Sequence, residues 1–176
     1  MSVVSVDKDY DAHRLVVVAE FAAPIEQVWQ LWADPRKLER WWGPPSHPAT
    51  FERHDLAAGG DAAYFMTGPD GERSRGWWRI TSVDAPRSLA FIDGFARPDG
   101  SPNDELPVTS VEVVLVERDD GTRMELRFLF ASTDHMDMLE RWGAFDVFPQ
   151  SVGQMDALLA AASQEQETGQ PGQEAR

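Results

Sequence analysis

The sequence of 176 residues contains no cysteine, which excludes a disulfide framework, a thiolate nucleophile and a cysteine-ligated metal site. A chain without disulfides gains nothing from an oxidising compartment, so we expect a cytoplasmic location. The chain also lacks a run of about 18 apolar residues, and its N-terminus lacks the pattern of a secretory signal. We therefore predict neither a membrane span nor an export signal.

Basic residues are scarce as well. Lysine and arginine together number 16 against 30 acidic residues, which gives a formal net charge of -14. A field of this sign repels phosphate backbones and anionic lipid surfaces. Nucleic acid and the membrane surface are therefore excluded as expected partners.

Recognisable catalytic, metal and phosphate-binding motifs are absent too. The four histidines, His13, His47, His54 and His135, have no partner at helical spacing, so we predict no metal site. Gly59-Gly60 is followed by no Lys-Ser or Lys-Thr pair and is read as a turn. No nucleophile is spaced with a base, so no catalytic residue is assigned and no cofactor is expected.

The composition is sufficient for one globular domain. Hydrophobic residues make up 42% of the chain, enough for a single core at this length. We place that domain at residues 12–162, after a flexible N-terminus at residues 1–11. Residues 163–176 contain Gln, Glu, Gly and Pro without a large apolar side chain, and we predict a disordered tail there.

The order of predicted elements indicates an α+β fold. A β-branched run predicts a strand at 14–21, and proline-bounded segments predict two short helices at 24–33 and 35–41. Turn sequences divide 49–130 into antiparallel hairpins, with a longer connection at 96–106 that is expected to form a rim. Apolar residues at helical spacing predict a long helix over 133–162, kinked or split near Phe148 because Pro149 lies inside it.

One stretch shows which residues face inward. Met124, Leu126, Phe128 and Phe130 alternate with charged residues, so they lie on one face of a strand. A curved sheet of about six to seven strands would turn this aromatic face toward the C-terminal helix. The expected product is an apolar pocket between sheet and helix.

Several short motifs, in this order and spacing, carry a resemblance to a known family. They are Pro24, Val28-Trp29, Asp34-Pro35, Leu38, Trp41-Trp42-Gly43-Pro44, Asp55-Leu56, Gly59-Gly60, Pro69-Asp70-Gly71, Gly76-Trp77-Trp78-Arg79-Ile80-Thr81, Val83-Asp84-Ala85-Pro86-Arg87-Ser88-Leu89, Asp93-Gly94-Phe95, Asp99-Gly100, Pro102-Asn103, Pro107, Gly121-Thr122-Arg123 and Gln154-Met155-Asp156-Ala157-Leu158-Leu159. The chain resembles the START-like, Bet v-type (SRPBCC) superfamily. Within this superfamily, the chain is similar to the activator-of-Hsp-ninety-ATPase-like branch, also called Aha-type or polyketide-cyclase-like.

The resemblance implies a helix-grip fold, in which the curved sheet wraps a long C-terminal helix after two short helices. Two positions depart from the family pattern. Ala57-Ala58 stands where relatives have Arg-Pro, and Val147 fills the place of a glycine in the long helix. The second departure predicts a narrower or differently shaped pocket than in relatives.

Candidate site residues are the large side chains expected to face the pocket, together with nearby polar groups. The ligand-binding candidates are Trp32, Phe65, Trp78, Phe91, Phe95, Phe128, Phe130, Met138, Trp142, Phe145 and Met155. The polar candidates are His54, Tyr64, Asp93 and Arg97. For each aromatic residue, simple core packing is the alternative, and for Asp93 the alternative is a turn cap.

Three functions follow. The first is binding of a small hydrophobic or aromatic ligand, which predicts a real cavity. The second, implied by the resemblance, is a protein-interaction module for a chaperone-type ATPase with a link to the stress response, which predicts an exposed patch and a filled core. The third is a cyclase, aromatase or hydrolase, which predicts a polar group with a perturbed pKa in the pocket. A homodimer is a further hypothesis, since related folds often pair through a sheet edge or helix face.

Overall fold

The computed structural model describes residues 2–168. Over that range the chain forms eight strands and five helices, in the order β1 (Val3–Asp9), β2 (Arg14–Phe21), α1 (Ile25–Ala33), α2 (Pro35–Leu38), β3 (Ala49–His54), β4 (Asp61–Thr67), β5 (Arg73–Asp84), β6 (Ser88–Ala96), β7 (Thr109–Arg118), β8 (Gly121–Leu129), α3 (Thr133–Arg141), α4 (Ala144–Gly153) and α5 (Met155–Thr168).

The strands form one curved antiparallel sheet in the order β1-β2-β8-β7-β6-β5-β4-β3. Strands β3 to β8 follow one another as an antiparallel meander, and the connection between β6 and β7, residues 97–108, is its longest. Strand β2 then pairs with β8, which leaves β1 and β3 at the two edges. The α+β helix-grip prediction is confirmed, with eight strands in place of the predicted six to seven.

The N-terminal segment differs from the prediction of a flexible end. Residues Val3–Asp9 form β1, which pairs with β2 along its length. Most of its side chains are exposed, so the segment has little of the hydrophobic alternation that reveals a strand in sequence. Its order comes from backbone pairing with β2 and from Lys8 and Tyr10, whose side chains bond to Glu140.

The C-terminal helix is divided into three segments, and the breaks are not at Pro149. The first break follows Trp142, where Gly143 takes a left-handed backbone conformation with φ of 78°. Glycine adopts this geometry without the penalty that a side chain imposes, so the helix changes direction there. The second break is at Gln154, whereas α4 continues through Pro149.

The first part of the segment predicted as a disordered tail, residues 163–168, is helical. Helix α5 extends to Thr168. Glutamine and glutamate are good helix formers, which allows the helix to run on after its apolar residues end. The remaining positions of the predicted tail, 169–176, lie outside the described residues.

The inner face of the sheet follows the predicted alternation. On β8, Met124, Leu126 and Phe128 are buried, and β2 contributes a matching buried set. Helices α1 and α2 cover one end of this face, and Trp41 behind them donates its indole N–H to the Leu31 carbonyl oxygen at 2.8 Å. Helices α3 and α4 lie over the other end. In residues 2–168, none of the helices combines the length and apolar character needed to cross a membrane.

Candidate functional site

A cavity of about 200 Å³ lies between the inner face of the sheet and helices α3 and α4. Its walls come from five strands, the segment after α2 and the two helices. The lining residues are Trp41, Trp42, Tyr64, Met66, Ser74, Arg75, Asp93, Gly94, Phe95, Thr109, Leu126, Phe128, Leu139, Trp142, Ala144, Val147, Phe148, Ser151 and Val152. The surface is mainly apolar and aromatic, with a small number of polar groups, which is the usual character of a small-molecule site.

The mouth of the cavity is aromatic. Trp142 is 56% exposed, and its ring meets that of Phe95 edge-on at 5.9 Å between centroids. Further in, Phe128 and Phe148 stack with centroids 4.4 Å apart. An exposed tryptophan at the opening of an apolar cavity provides a large contact surface that the protein itself does not bury.

The polar centre of the cavity is a hydrogen-bonded pair. Tyr64 on β4 donates its hydroxyl to Asp93 Oδ1 on β6 at 2.8 Å, although strand β5 lies between the two. The residue that allows this crossing is Gly76 on β5, which pairs with Tyr64. A Cβ atom at Gly76 would lie 2.4 Å from the tyrosine Cζ and hydroxyl oxygen, so the ring occupies space that only glycine leaves free.

Burial controls the protonation of this pair. Desolvation raises the pKa of Asp93 from 3.8 to about 7, although the Tyr64 hydroxyl and the Trp78 side chain act to lower it. Burial, with the Asp93 charge as the second cause, raises the pKa of Tyr64 well above 10. Asp93 therefore exchanges a proton near neutral pH, while Tyr64 keeps its proton and acts as a donor.

Three polar atoms at or near the cavity are buried and have no hydrogen-bond partner among the described residues. They are the indole nitrogens of Trp42 and Trp78 and the hydroxyl oxygen of Ser151. Both indoles nevertheless lower the pKa of Tyr64, because their N–H groups lie near its hydroxyl without reaching hydrogen-bonding geometry. Indole donors thus surround the Tyr64–Asp93 pair.

Five of the candidate residues from the sequence line the cavity. They are Phe95, Phe128, Trp142, Tyr64 and Asp93. Asp93 follows Leu89 and Phe91 at two-residue spacing along β6, so it lies on the same face of the sheet, where it is half-buried and lines the cavity. Whether these residues contact a ligand remains a prediction.

Most of the other aromatic candidates are core residues. Trp32, Trp78, Phe91, Phe130, Phe145 and Met155 are buried in the hydrophobic core, and Met138 packs against it, without lining the cavity. Core residues and lining residues are both mainly apolar, and they differ in their depth along the sheet and in their position relative to the helices. Sequence periodicity does not contain that information.

Phe65 lies on the opposite face from the cavity. Adjacent residues of a strand point to opposite faces, so Phe65 points away from the side that Tyr64 occupies. There the guanidinium groups of Arg73 and Arg75 lie over its ring, at 4.3 and 5.1 Å from the centroid. The sequence prediction had the wrong strand phase at this position.

The remaining polar candidates lie elsewhere. His54 Nε2 is 3.0 Å from the Trp32 carbonyl oxygen, and burial lowers its pKa. Arg97 is exposed beyond the end of β6, at the start of the long connection. That connection is attached beside the mouth, where Asn103 donates its backbone N–H to Phe95 O at 2.8 Å, but its residues 97–108 do not line the cavity.

Several lining residues were not singled out from the sequence. Leu126 belongs to the same alternation as Phe128, and Leu139, Phe148 and Val152 belong to the helical spacing of the C-terminal region. Val147, where the chain departs from the family pattern, also lines the cavity. These signals existed in the sequence, but the break at Gly143 decides which side of α4 faces the sheet.

Within residues 2–168, no three His, Asp or Glu side chains come together in a way that could hold a metal ion. The chemical resources of the cavity are therefore its apolar walls, the Tyr64–Asp93 pair and the nearby donors. Such a site can enclose a small apolar body and hold one polar group.

Comparison with known families agrees with this architecture. Residues 22–160 match the family described as Activator of Hsp90 ATPase homolog 1-like protein. The chain belongs to this family. None of the curated proteins matches the sequence.

Solved structures of similar proteins share the family fold. A solution structure of a protein from Arthrobacter aurescens is 48% identical and covers 91% of this chain and 93% of its own, with a TM-score of 0.87. A crystal structure of a Mycobacterium smegmatis protein is 47% identical and covers 89% and 96%, with a TM-score of 0.82. A crystal structure of a Rhodobacter sphaeroides protein is 22% identical and covers 89% of this chain and 98% of its own. It shows the same fold, with a TM-score of 0.75.

Proposed function

We propose that this protein binds a small hydrophobic or aromatic molecule, bearing a polar group, in the cavity between the sheet and helices α3 and α4. The observation that carries the proposal is the cavity itself, since protein interiors normally leave few voids larger than a water molecule. Its volume of about 200 Å³ exceeds the roughly 150 Å³ of an engineered apolar cavity that accepts benzene. The expected ligand is therefore about one substituted ring in size.

The polar pair supports the same proposal. A single buried hydrogen-bonding centre in an apolar cavity fixes the orientation of a ligand, while the walls supply most of the contact area. The Tyr64–Asp93 pair is such a centre, and Gly76 holds open the space that the tyrosine needs. The exposed Trp142 at the mouth would close over a bound molecule or pack against it.

The first experiment is native mass spectrometry of freshly purified protein, followed by denaturation to identify any released molecule. Binding of 2-phenylethanol, a one-ring neutral probe, is then measured by calorimetry. Ala144→Phe places a ring in the cavity wall at the start of α4 and should weaken probe binding at least tenfold. Ala157→Phe is the matched control, because Ala157 is exposed on α5 and does not line the cavity.

The contrary result is clear. If the protein is free of ligand, and if the wild type and the Ala144→Phe variant show the same response to 2-phenylethanol, the cavity is not a binding site. Equal weakening by both substitutions would indicate a general disturbance of the C-terminal helices.

A second candidate function is an enzyme of cyclase, aromatase or hydrolase type that uses the same cavity. It is favoured by the position of Asp93, a carboxyl group in a mainly apolar cavity and bonded to Tyr64, where desolvation raises its pKa to about 7, as suits a general acid or base near neutral pH. Asp93→Asn would then abolish turnover of a substrate while retaining its binding. If Asp93→Asn converted the substrate at the wild-type rate, Asp93 would not act as the general acid or base.

The interaction-module hypothesis is supported by the family description alone. It predicts a filled core, whereas a cavity lies beneath α4. A cytoplasmic location, a link to the stress response and a homodimer formed through a sheet edge or helix face remain hypotheses from the sequence.

A further inference from the structure

The carboxyl group of Asp93 has no positively charged partner in the part of the chain that the structure describes. The ion pairs there involve other carboxylates, most of them on the surface. Arg75 is the one cationic residue in the cavity lining, and its guanidinium group is engaged away from Asp93. It lies 2.5 Å from Glu52 Oε1 and 5.1 Å from the centroid of the outward-facing Phe65 ring.

The protein groups nearest to Asp93 are donors suited to a carboxylate. The Tyr64 hydroxyl donates to Oδ1, and the Trp78 side chain, directly across the strand pair, lowers the pKa of Asp93 as a donor would. Both groups favour the ionised form, while burial opposes it. The half-buried carboxylate has hydrogen-bond donors beside it but no cation to compensate its charge.

The surroundings of the carboxyl group suit an organic cation. The faces of aromatic rings attract ammonium groups, and the cavity presents Trp42, Phe95, Phe128 and Trp142 among its walls. The net charge of -14 also raises the local concentration of cations around the protein. Aromatic walls and one uncompensated carboxylate are complementary to an apolar body that carries a single ammonium group.

We propose that the ligand of this cavity is a small primary amine on an aromatic or apolar body, whose ammonium group pairs with the Asp93 carboxylate. This inference rests on the proposed binding function and specifies its ligand class. The pairing leaves Oδ1 with Tyr64 and uses the second carboxylate oxygen for the ammonium group. The ring of the ligand then lies toward Phe128 and the mouth.

Few titratable groups face this site from the elements that enclose it. Tyr64 on β4 and Arg75 on β5 are the titratable lining residues besides Asp93, and β7, β8, α3 and α4 contribute none to the lining. Tyr64 stays protonated through neutral pH because its pKa is raised, and Arg75 is held by Glu52. The pH dependence of amine binding near pH 7 therefore reports on Asp93.

The test compares three one-ring probes by calorimetry at pH 6 and pH 8, namely 2-phenylethylamine, 2-phenylethanol and 3-phenylpropionate. At pH 8 the amine should bind at least tenfold more tightly than the alcohol, and the acid should bind most weakly. From pH 8 to pH 6 the affinity for the amine should fall about tenfold, because only the ionised fraction of Asp93 is competent. The amine itself stays protonated at both pH values.

Two variants sharpen the test. Asp93→Asn keeps the shape of the side chain and the acceptor for Tyr64 but cannot carry a negative charge, so it should abolish the preference for the amine over the alcohol. Tyr64→Phe removes a donor that lowers the pKa of Asp93, so the midpoint of the amine's pH dependence should move upward. The carbon-13 resonance of the Asp93 carboxyl group, followed against pH, gives the same midpoint without a ligand.

The outcomes separate the two proposals. If 2-phenylethanol binds and Ala144→Phe blocks it, while the amine binds no better or binds better at pH 6, the amine inference is wrong and the cavity remains a binding site. If none of the three probes binds, both proposals fail. An amine preference that persists in Asp93→Asn would also overturn the inference, because another group would then hold the ammonium.

Discussion

The two ends of the sheet's inner face use the same aromatic residue types in opposite ways. Toward α1, the Trp32 ring is completely buried and meets the rings of Trp41, Trp42, Trp78 and Phe91 at 4.6 to 6.4 Å between centroids. Beneath α3 and α4, the rings line a cavity that they do not fill. The difference lies in the covering helices, since the break at Gly143 leaves space under α4.

The comparison also separates two electrostatic environments. The filled end buries aromatic and aliphatic groups around Trp32, and burial lowers the pKa of its ionisable neighbour His54, which favours the neutral imidazole. The open end holds a half-buried, ionisable carboxyl group that is hydrogen-bonded to Tyr64. The packing of the filled end therefore stabilises the fold. The open end stabilises it less, because it leaves a cavity and holds an ionisable group.

The largest expected effect is at the filled end. Trp32→Ala should lower the free energy of unfolding by roughly 3 to 5 kcal/mol, because it removes a large buried ring and leaves a void. Trp142→Ala, at the open end, should cost less than about 1 kcal/mol, because its side chain is largely exposed. Urea unfolding of both variants measures the contrast, and equal losses would show that the two ends are packed alike.

The second prediction concerns the carboxyl group at the open end. The pKa of Asp93 is raised from 3.8 to about 7 on folding, so the folded state holds a proton that the unfolded state has lost between these values. The stabilising contribution is complete below pH 3.8 and disappears as the pH rises through 7. Between these two limits, the contribution of Asp93 to the free energy of unfolding falls by up to about 4 kcal/mol.

Asp93→Asn cannot ionise, so its stability relative to the wild type should rise between pH 5 and pH 8. The difference between the two proteins is the relevant quantity, because burial lowers the pKa of His54 and His135 and makes their contributions rise with pH. Urea unfolding of both proteins at half-unit pH steps measures this difference in the free energy of unfolding. A constant difference across this range would place the pKa of Asp93 at its ordinary value.

The smallest expected effect is at Ser151, whose buried hydroxyl oxygen has no partner among the described residues. Ser151→Ala removes that polar atom and should leave the protein equally stable or stabilise it by up to about 1 kcal/mol. Ser132→Ala is the matched control, because Ser132 caps α3 by accepting from the His135 backbone N–H at 3.1 Å and should cost about 1 kcal/mol. A clear loss in Ser151→Ala would indicate a hydrogen-bonded water in the cavity.

Much of the fold was predictable from local patterns. The strand at Arg14–Phe21 has the predicted bounds, because a β-branched run between turn residues permits little else. Helix α1 ends at Ala33, where Asp34-Pro35 excludes further helix. Strand β1 was missed because an exposed edge strand has no buried face to impose a pattern.

The candidate site was predictable only in part. The alternation on β8 identifies Phe128, and the run of Leu89, Phe91 and Asp93 on β6 turns the carboxyl group inward. Phe65 was misplaced because a shift of one residue reverses the face of a strand. Trp32 was misplaced because both packing and lining residues are apolar and inward-facing.

The sequence by itself determined the order of elements, the inward set of side chains and the acidic field, because these depend on local spacing and composition. Only the tertiary structure decided that the Tyr64 hydroxyl reaches Asp93 across Gly76 and that space remains beneath α4. Both depend on three strands and a broken helix meeting at one point. Contacts between residues far apart in the chain leave no periodic signal in a single sequence.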